Sequence, residues 1–110
     1  MSRMQDNFKR GTTELLVLYL LQQEEMYGYK IVQTLGKKSG GRYTLLEGSL
    51  YLLLTKMEEQ DFITGRTELV GKKRIRKYYK VTDKGIERYN SLIKDYDEIS
   101  HAVSMILDRA

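Results

Sequence analysis

Apolar residues occupy nearly every position from 15 to 21. A helix of that composition has no solvent face, so this segment is expected to be buried on more than one side. Thr12 or Thr13 stands where a hydroxyl can accept the first free backbone amides of that helix. After the polar residues 22–25, Tyr27-Gly28-Tyr29 reads as a turn into a second helix with Ile31 and Leu35 on one face, Gly36 near its end and a loop over 37–41. The clearest period follows: Leu50, Leu53, Leu54 and Met57 fall at i, i+3, i+4 and i+7 and predict a third helix from Gly48 to Gln60. Beyond it the period changes to two. Residues 62–69 and 75–81 then read as paired strands, joined by Val70-Gly71-Lys72-Lys73-Arg74 with Gly71 supplying any positive φ the loop needs.

Thr82 is a good helix cap and Asp83 a favourable first-turn acid, and nothing breaks a helix from there to Leu107. Ile86, Tyr89, Ile93, Tyr96, Ile99, Val103 and Ile106 step along it by three and four, which makes a narrow seam suited to a partner helix. Some 25 residues of helix extend ~37 Å, too far for a domain of about 80 residues to cover, so a homodimer is expected.

The apolar stripe of the third helix also fixes its opposite face. At 100° per residue that face carries Gly48, Leu52, Thr55 and Lys56, with Ser49 and Tyr51 on its flanks. Charge is concentrated nearby. The chain is +4 overall, but residues 65–80 hold seven basic side chains against one acid, whereas residues 81–110 are net −2. A positive field on one short hairpin beside a helix that begins with small and polar residues is how a winged helix reads double-stranded DNA. Lys72, Lys73 and Arg74 would then project towards a phosphate backbone or minor groove, with Arg76 on the adjoining strand and Tyr29 and Lys30 at the start of the second helix as further contacts. Ser49 and Thr55 can bond base edges or phosphates, and Leu52 can meet a thymine methyl. The bland alternatives are that the hairpin is a charged edge that discourages aggregation, and that Tyr51 only packs at a domain edge.

Other chemistry is thinly represented. There is no cysteine, hence no disulfide framework or thiol site. The single histidine, His101, has Glu98 at i−3 and no further metal-ligand pattern. Gly40-Gly41 lacks the strand, loop and Lys-Ser/Thr of a phosphate loop. Neither enzyme, metal nor cofactor is therefore expected. The polar first eleven residues do not resemble a signal peptide, and no apolar run approaches ~18 residues, so a soluble cytoplasmic protein with no membrane partner is expected.

Tyr27-Gly28-Tyr29-Lys30-Ile31, Gly48-Ser49-Leu50-Tyr51, the helix-to-strand junction at 57–63 and Tyr78-Tyr79-Lys80-Val81-Thr82-Asp83-Lys84-Gly85 together resemble the PadR family of bacterial transcriptional regulators, in the right order over roughly residues 11–107. The resemblance implies a dimeric repressor on a roughly palindromic operator, of the short type with one C-terminal helix. It also implies that Ser49 and Tyr51 belong to the recognition helix and Lys72 to Arg74 to the basic wing. This chain has Leu52 where the family usually has proline and Asp61 where it usually has glycine. In some family members an aromatic residue at the position of Tyr96 lines a drug-binding pore at the dimer interface, so a small aromatic effector is an implied ligand.

The expected fold is thus mainly α with a small β-hairpin. A winged helix-turn-helix spans 1–82, its N-terminal helix also serving the dimer interface, and a dimerisation helix spans 83–110. A winged helix that binds another protein instead of DNA is the competing function, and steep salt dependence separates the two.

Overall fold

The computed structural model describes residues 3–109. Its elements are α1 (Arg3–Lys9), α2 (Thr12–Gln23), β1 (Met26–Tyr27), α3 (Gly28–Lys38), α4 (Glu47–Glu59), β2 (Ile63–Val70), β3 (Arg74–Val81) and α5 (Asp83–Ile106). The core forms where α2, α3, α4 and the base of the hairpin meet: Val17, Leu18, Ile31, Leu50, Leu54, Met57 and Ile63 are all sealed from solvent. The dense apolar segment of α2 is buried at Leu15, Val17, Leu18, Leu20 and Leu21, several faces at once, as its composition requires.

Two elements escape the sequence pattern. The short α1 is polar and exposed along most of its length. Met26 and Tyr27, the latter expected to open a turn over 27–29, form a third strand, and the sheet order is β1-β3-β2, all antiparallel. Met26 pairs with Tyr79 and Tyr27 with Tyr78, while β2 and β3 run in register from Ile63↔Val81 to Val70↔Arg74. Both strands of the hairpin lie one residue off the expected limits, leaving Gly71-Lys72-Lys73 as the turn, with Gly71 at φ 71°. On β3 the inward side chain is Tyr79, with Val81 packed beside it against the core.

Thr12 and Thr13, expected to cap the helix, are the first two residues of α2 and do not cap it. Gly11 holds the N-cap position at φ 88° with no side-chain acceptor. The Thr12 hydroxyl instead donates to the carbonyl of Lys9 at 2.7 Å, and the Tyr43 hydroxyl lies 2.8 Å from it and 2.7 Å from that of Thr13. With its one proton spent on Lys9, Thr12 accepts from Tyr43, which leaves Tyr43 to accept from Thr13. This pins the loop between α3 and α4 onto α2.

At the other end of α4 the chain passes through Asp61 at φ 64°, and the amide of Phe62 donates back to the carbonyl of Met57 at 3.0 Å. That closure places a left-handed residue just past the helix, where glycine is the common choice. Here the departure from the PadR pattern falls on a strained position.

The last helix is 24 residues long, ~36 Å, and gives the molecule its 57 Å long axis. Thr82 caps it as expected, accepting the amide of Gly85 at 3.0 Å. Gly85 is buried against the junction of α4 and β2; a Cβ there would collide with the carbonyl oxygen of Phe62 and come within 2.8 Å of a Val81 methyl. Further along, the Arg88 guanidinium binds both carboxylate oxygens of Glu14 at 2.7 and 3.3 Å and lies over the Phe62 ring. The root of α5 is therefore fixed to the winged helix.

Candidate nucleic-acid interface

The exposed face of α4 is the one its apolar stripe dictates. Leu50, Leu54 and Met57 are buried and Leu53 is packed beside them, while Gly48, Ser49, Leu52, Thr55 and Lys56 are exposed. Leu52, where a proline was the expected family residue, is 76% exposed and lies in unbroken helix. An aliphatic side chain so placed has no core role and is available to a partner. The helix begins at Glu47, one residue before the expected start, and has no side-chain cap. Its first free amides near Gly48 and Ser49 therefore remain open to an anionic partner. The Thr55 hydroxyl donates to the carbonyl of Tyr51 at 2.9 Å, so towards solvent it offers acceptor lone pairs and no proton.

Tyr51 lies between α4 and the start of α3. Its ring passes over buried Gly28, where an added Cβ would stand 3.9 Å from the ring, and half of the side chain stays in solvent. Tyr51, Tyr29, Glu47, Arg74, Ile75 and Arg76 converge on a cleft of about 340 Å³ between α4 and the wing. Tyr29 is exposed in this cleft, whereas the neighbouring Lys30 points towards Glu24 and pairs with it at 3.0 Å. The structure thus brings the start of α3, the start of α4 and the inner face of the wing to one side of the molecule.

The positive field of the wing is narrower than the count of basic residues suggests. Arg66 binds Glu25 at 3.0 Å and Glu68 at 2.8 Å, and hydrogen bonding to these carboxylates raises its already high pKa. Lys77 donates to Glu58 on α4 at 2.8 Å, a bond that pushes its pKa up and ties the wing to the helix. The Arg76 guanidinium stacks 3.9 Å from the centre of the Tyr27 ring, and hydrogen bonding to Tyr78 keeps it firmly protonated. Lys72, Lys73 and Arg74 at the tip are exposed and form no ion pair among the described residues. These three carry the field outward.

The seam of α5 divides in two. Tyr89 packs on Tyr19 of α2 with ring centres 6.1 Å apart, and Tyr89 joins Leu92 against the core, so this portion is partly used within the chain. Ile93 is likewise partly covered. Ile86 is more open, and beyond Ile93 the seam is bare: Tyr96, Ile99, Val103 and Ile106 are exposed, Ile106 to 80%. Tyr96 also borders an apolar cleft of about 510 Å³ with Phe8, Leu16, Tyr19, Tyr89 and Ile93.

A second cleft by α4, of about 670 Å³, was not foreseen. It lies on the Ser49 flank, away from the wing, and is lined by Asp6, Lys9, Arg10, Thr13 and Thr44 with Ser49. Only the basic pair Lys9-Arg10 ahead of Gly11 hinted at it. No group of acids and histidines among the described residues is arranged to hold a metal, and no helix among them is long and apolar enough to cross a membrane.

Comparison with known proteins places this arrangement. The chain is 32% identical to a PadR-like transcriptional regulator from Bacillus cereus, covering 94% of this chain and 99% of that one at a TM-score of 0.78. A PadR family regulator from Eggerthella lenta, 28% identical, matches over 97% of this chain and 91% of its own at 0.85. The negative transcriptional regulator PadR of Bacillus subtilis is 29% identical over 87 residues, of which this chain spans 48% of the length. The structure of that protein in complex with operator DNA matches at 28% identity and a TM-score of 0.69, over 74% of this chain and 46% of that one. These neighbours are regulators of transcription and not enzymes. With the family's sequence model matching residues 17–91, across the second, third and fourth helices, the three strands and the root of the last helix, the chain belongs to the transcriptional regulator PadR-like family.

Proposed function

We propose that the protein is a sequence-specific DNA-binding repressor that acts in the cytoplasm as a homodimer on a roughly palindromic operator. The observation that carries this reading is the exposed face of α4 lying beside a wing tip whose three cations form no ion pair among the described residues. Residues 1–82 form the reading head and residues 83–110 the dimerisation helix. Each head inserts the start of α4 into a major groove with Gly48, Ser49, Leu52, Thr55 and Lys56 towards base edges. Tyr29, Lys30, Tyr51, Arg76 and the Lys72 to Arg74 tip hold the backbone. The bare part of the seam, with Ile86 and the N-terminal helix alongside, joins the protomers. The two half-sites then lie about one DNA turn, ~34 Å, or a multiple apart.

The apolar cleft beside Tyr96 supports a further step, in which a flat aromatic effector stacks there and weakens operator binding by changing the angle between the heads. Fluorescence anisotropy with the DNA upstream of the protein's own gene, against a scrambled duplex at two salt concentrations, tests the main reading. Tight, salt-sensitive and selective binding by a dimer is expected. Salt-insensitive binding with no preference for the natural duplex would point instead to a winged helix that binds protein.

A further inference from the structure

We propose that Arg10, at the end of α1, is the phosphate anchor for the second DNA strand, on the flank of α4 opposite the wing. This rests on the DNA-binding reading and adds to it a contact that lies outside both the recognition helix and the wing.

A helix seated in a major groove ~12 Å wide has a phosphate backbone on each side of it. The cationic wing tip serves one side only, that of Tyr51. Ser49 precedes Tyr51 by two residues, a rotation of 200°, so the two side chains mark opposite flanks of α4. On the Ser49 flank lies the 670 Å³ cleft. Two of its charged groups are already engaged. Asp6 pairs with Lys9 at 3.4 Å, and the Lys9 ammonium also donates to the carbonyl of Thr44 at 2.7 Å. Arg10 is different: it is exposed, and its guanidinium makes no ion pair among the described residues.

The position of Arg10 is nevertheless fixed by its backbone. Its amide donates to the carbonyl of Asp6 at 3.1 Å, and the left-handed Gly11 that follows turns the chain into α2. A guanidinium lining that cleft beside the open helix start at Ser49 can grip a phosphate bidentately, with the Ser49 hydroxyl as a further donor. The Asp6 carboxylate, neutralised by Lys9, does not oppose an anion there. Arg10 thereby supplies to the far strand what Arg74 supplies to the near one.

The test is the salt slope of binding for the full chain and for Arg10→Gln and Arg10→Lys, with the upstream fragment and a scrambled duplex, between 50 and 200 mM salt. Thermal melting of the free proteins establishes that all three fold alike, since Arg10 is tied by its backbone alone. The glutamine variant is expected to flatten the slope by about 0.9 for each protomer bound, so that the affinity lost over this salt range shrinks by about 3.5-fold per protomer. It should do so equally on both duplexes, and the lysine variant should keep the wild-type slope. If the wild type binds with a steep slope and Arg10→Gln keeps that slope, the anchor is refuted while the DNA-binding reading stands. If the wild type itself has no salt-dependent binding, both fall together.

Discussion

The Thr82 hydroxyl donates to the backbone carbonyl of Asp61 at 2.7 Å while accepting the amide of Gly85, so one side chain joins the end of the candidate recognition helix to the start of the candidate dimerisation helix. The Thr82 amide adds a bond to the carbonyl of Phe62 at 3.1 Å. Thr82→Val keeps the shape and removes the hydroxyl, leaving the Gly85 amide without its cap. A loss of about 1–3 kcal/mol is expected in urea unfolding, and Thr82→Ser should recover most of it. A valine variant as stable as the wild type would mean that the hydroxyl carries no such role.

Asp61 holds a left-handed conformation that costs a non-glycine residue about 1–2 kcal/mol. Its carbonyl, not its side chain, receives Thr82. Asp61→Gly is therefore expected to raise stability, by somewhat less than about 1 kcal/mol after the extra entropy of an unfolded glycine is subtracted. Differential scanning calorimetry would register a higher Tm; a lower one would show that the carboxylate does more than the backbone requires.

Gly85→Ala should act in the opposite direction. The methyl group would meet the carbonyl oxygen of Phe62, which is backbone and cannot swing aside. The root of α5 would have to lift from the α4–β2 junction, at a cost of about 1–3 kcal/mol or more. Proteolysis near residues 82–86 should accelerate in this variant, and unchanged resistance would contradict the packing described.

Lys73→Ala and Thr55→Ala should separate two kinds of contact. Loss of the wing lysine is expected to weaken binding to every duplex alike and to reduce the salt slope by about one for each protomer bound. Loss of Thr55 should change the preferred sequence, selected from a random duplex pool. Because its hydroxyl proton is held by the Tyr51 carbonyl, the lost preference should be for a base presenting an amino donor, adenine or cytosine. Equal losses on specific and random DNA for both variants would remove this division of roles.

The outer seam gives a prediction on assembly. Ile99 is largely exposed, so Ile99→Glu should leave the fold of each protomer intact while setting a carboxylate into the apolar seam of the proposed dimer. Sedimentation equilibrium is expected to report a monomer with a native circular dichroism spectrum. A dimer that survives this change would have to be built elsewhere.

The helices were legible because burial imprints a period: the stripe of α4 and the dense face of α2 follow directly from where the core lies. The wing was legible from alternation and from one glycine in its turn. What escaped had no period to give. A strand of two residues, 26–27, cannot alternate, and α1 is polar and lies mostly in solvent. The bonds of Tyr43 to Thr12 and Thr13, and of Arg66 to Glu25, join residues 30 to 41 positions apart, a separation that local patterns do not report. For the same reason the hairpin was read as seven basic side chains against one acid, when two of those cations are paired with acids from other elements.

The pinning of Gly85 beneath Phe62 turns the last helix into a lever. From that pivot to Ile106 the arm is ~31 Å long at 1.5 Å per residue. A swing of about 10° at the root would displace its far end by about 5 Å. In the proposed dimer, joined along the outer arm, a change of angle at this root would therefore turn both reading heads against their half-sites.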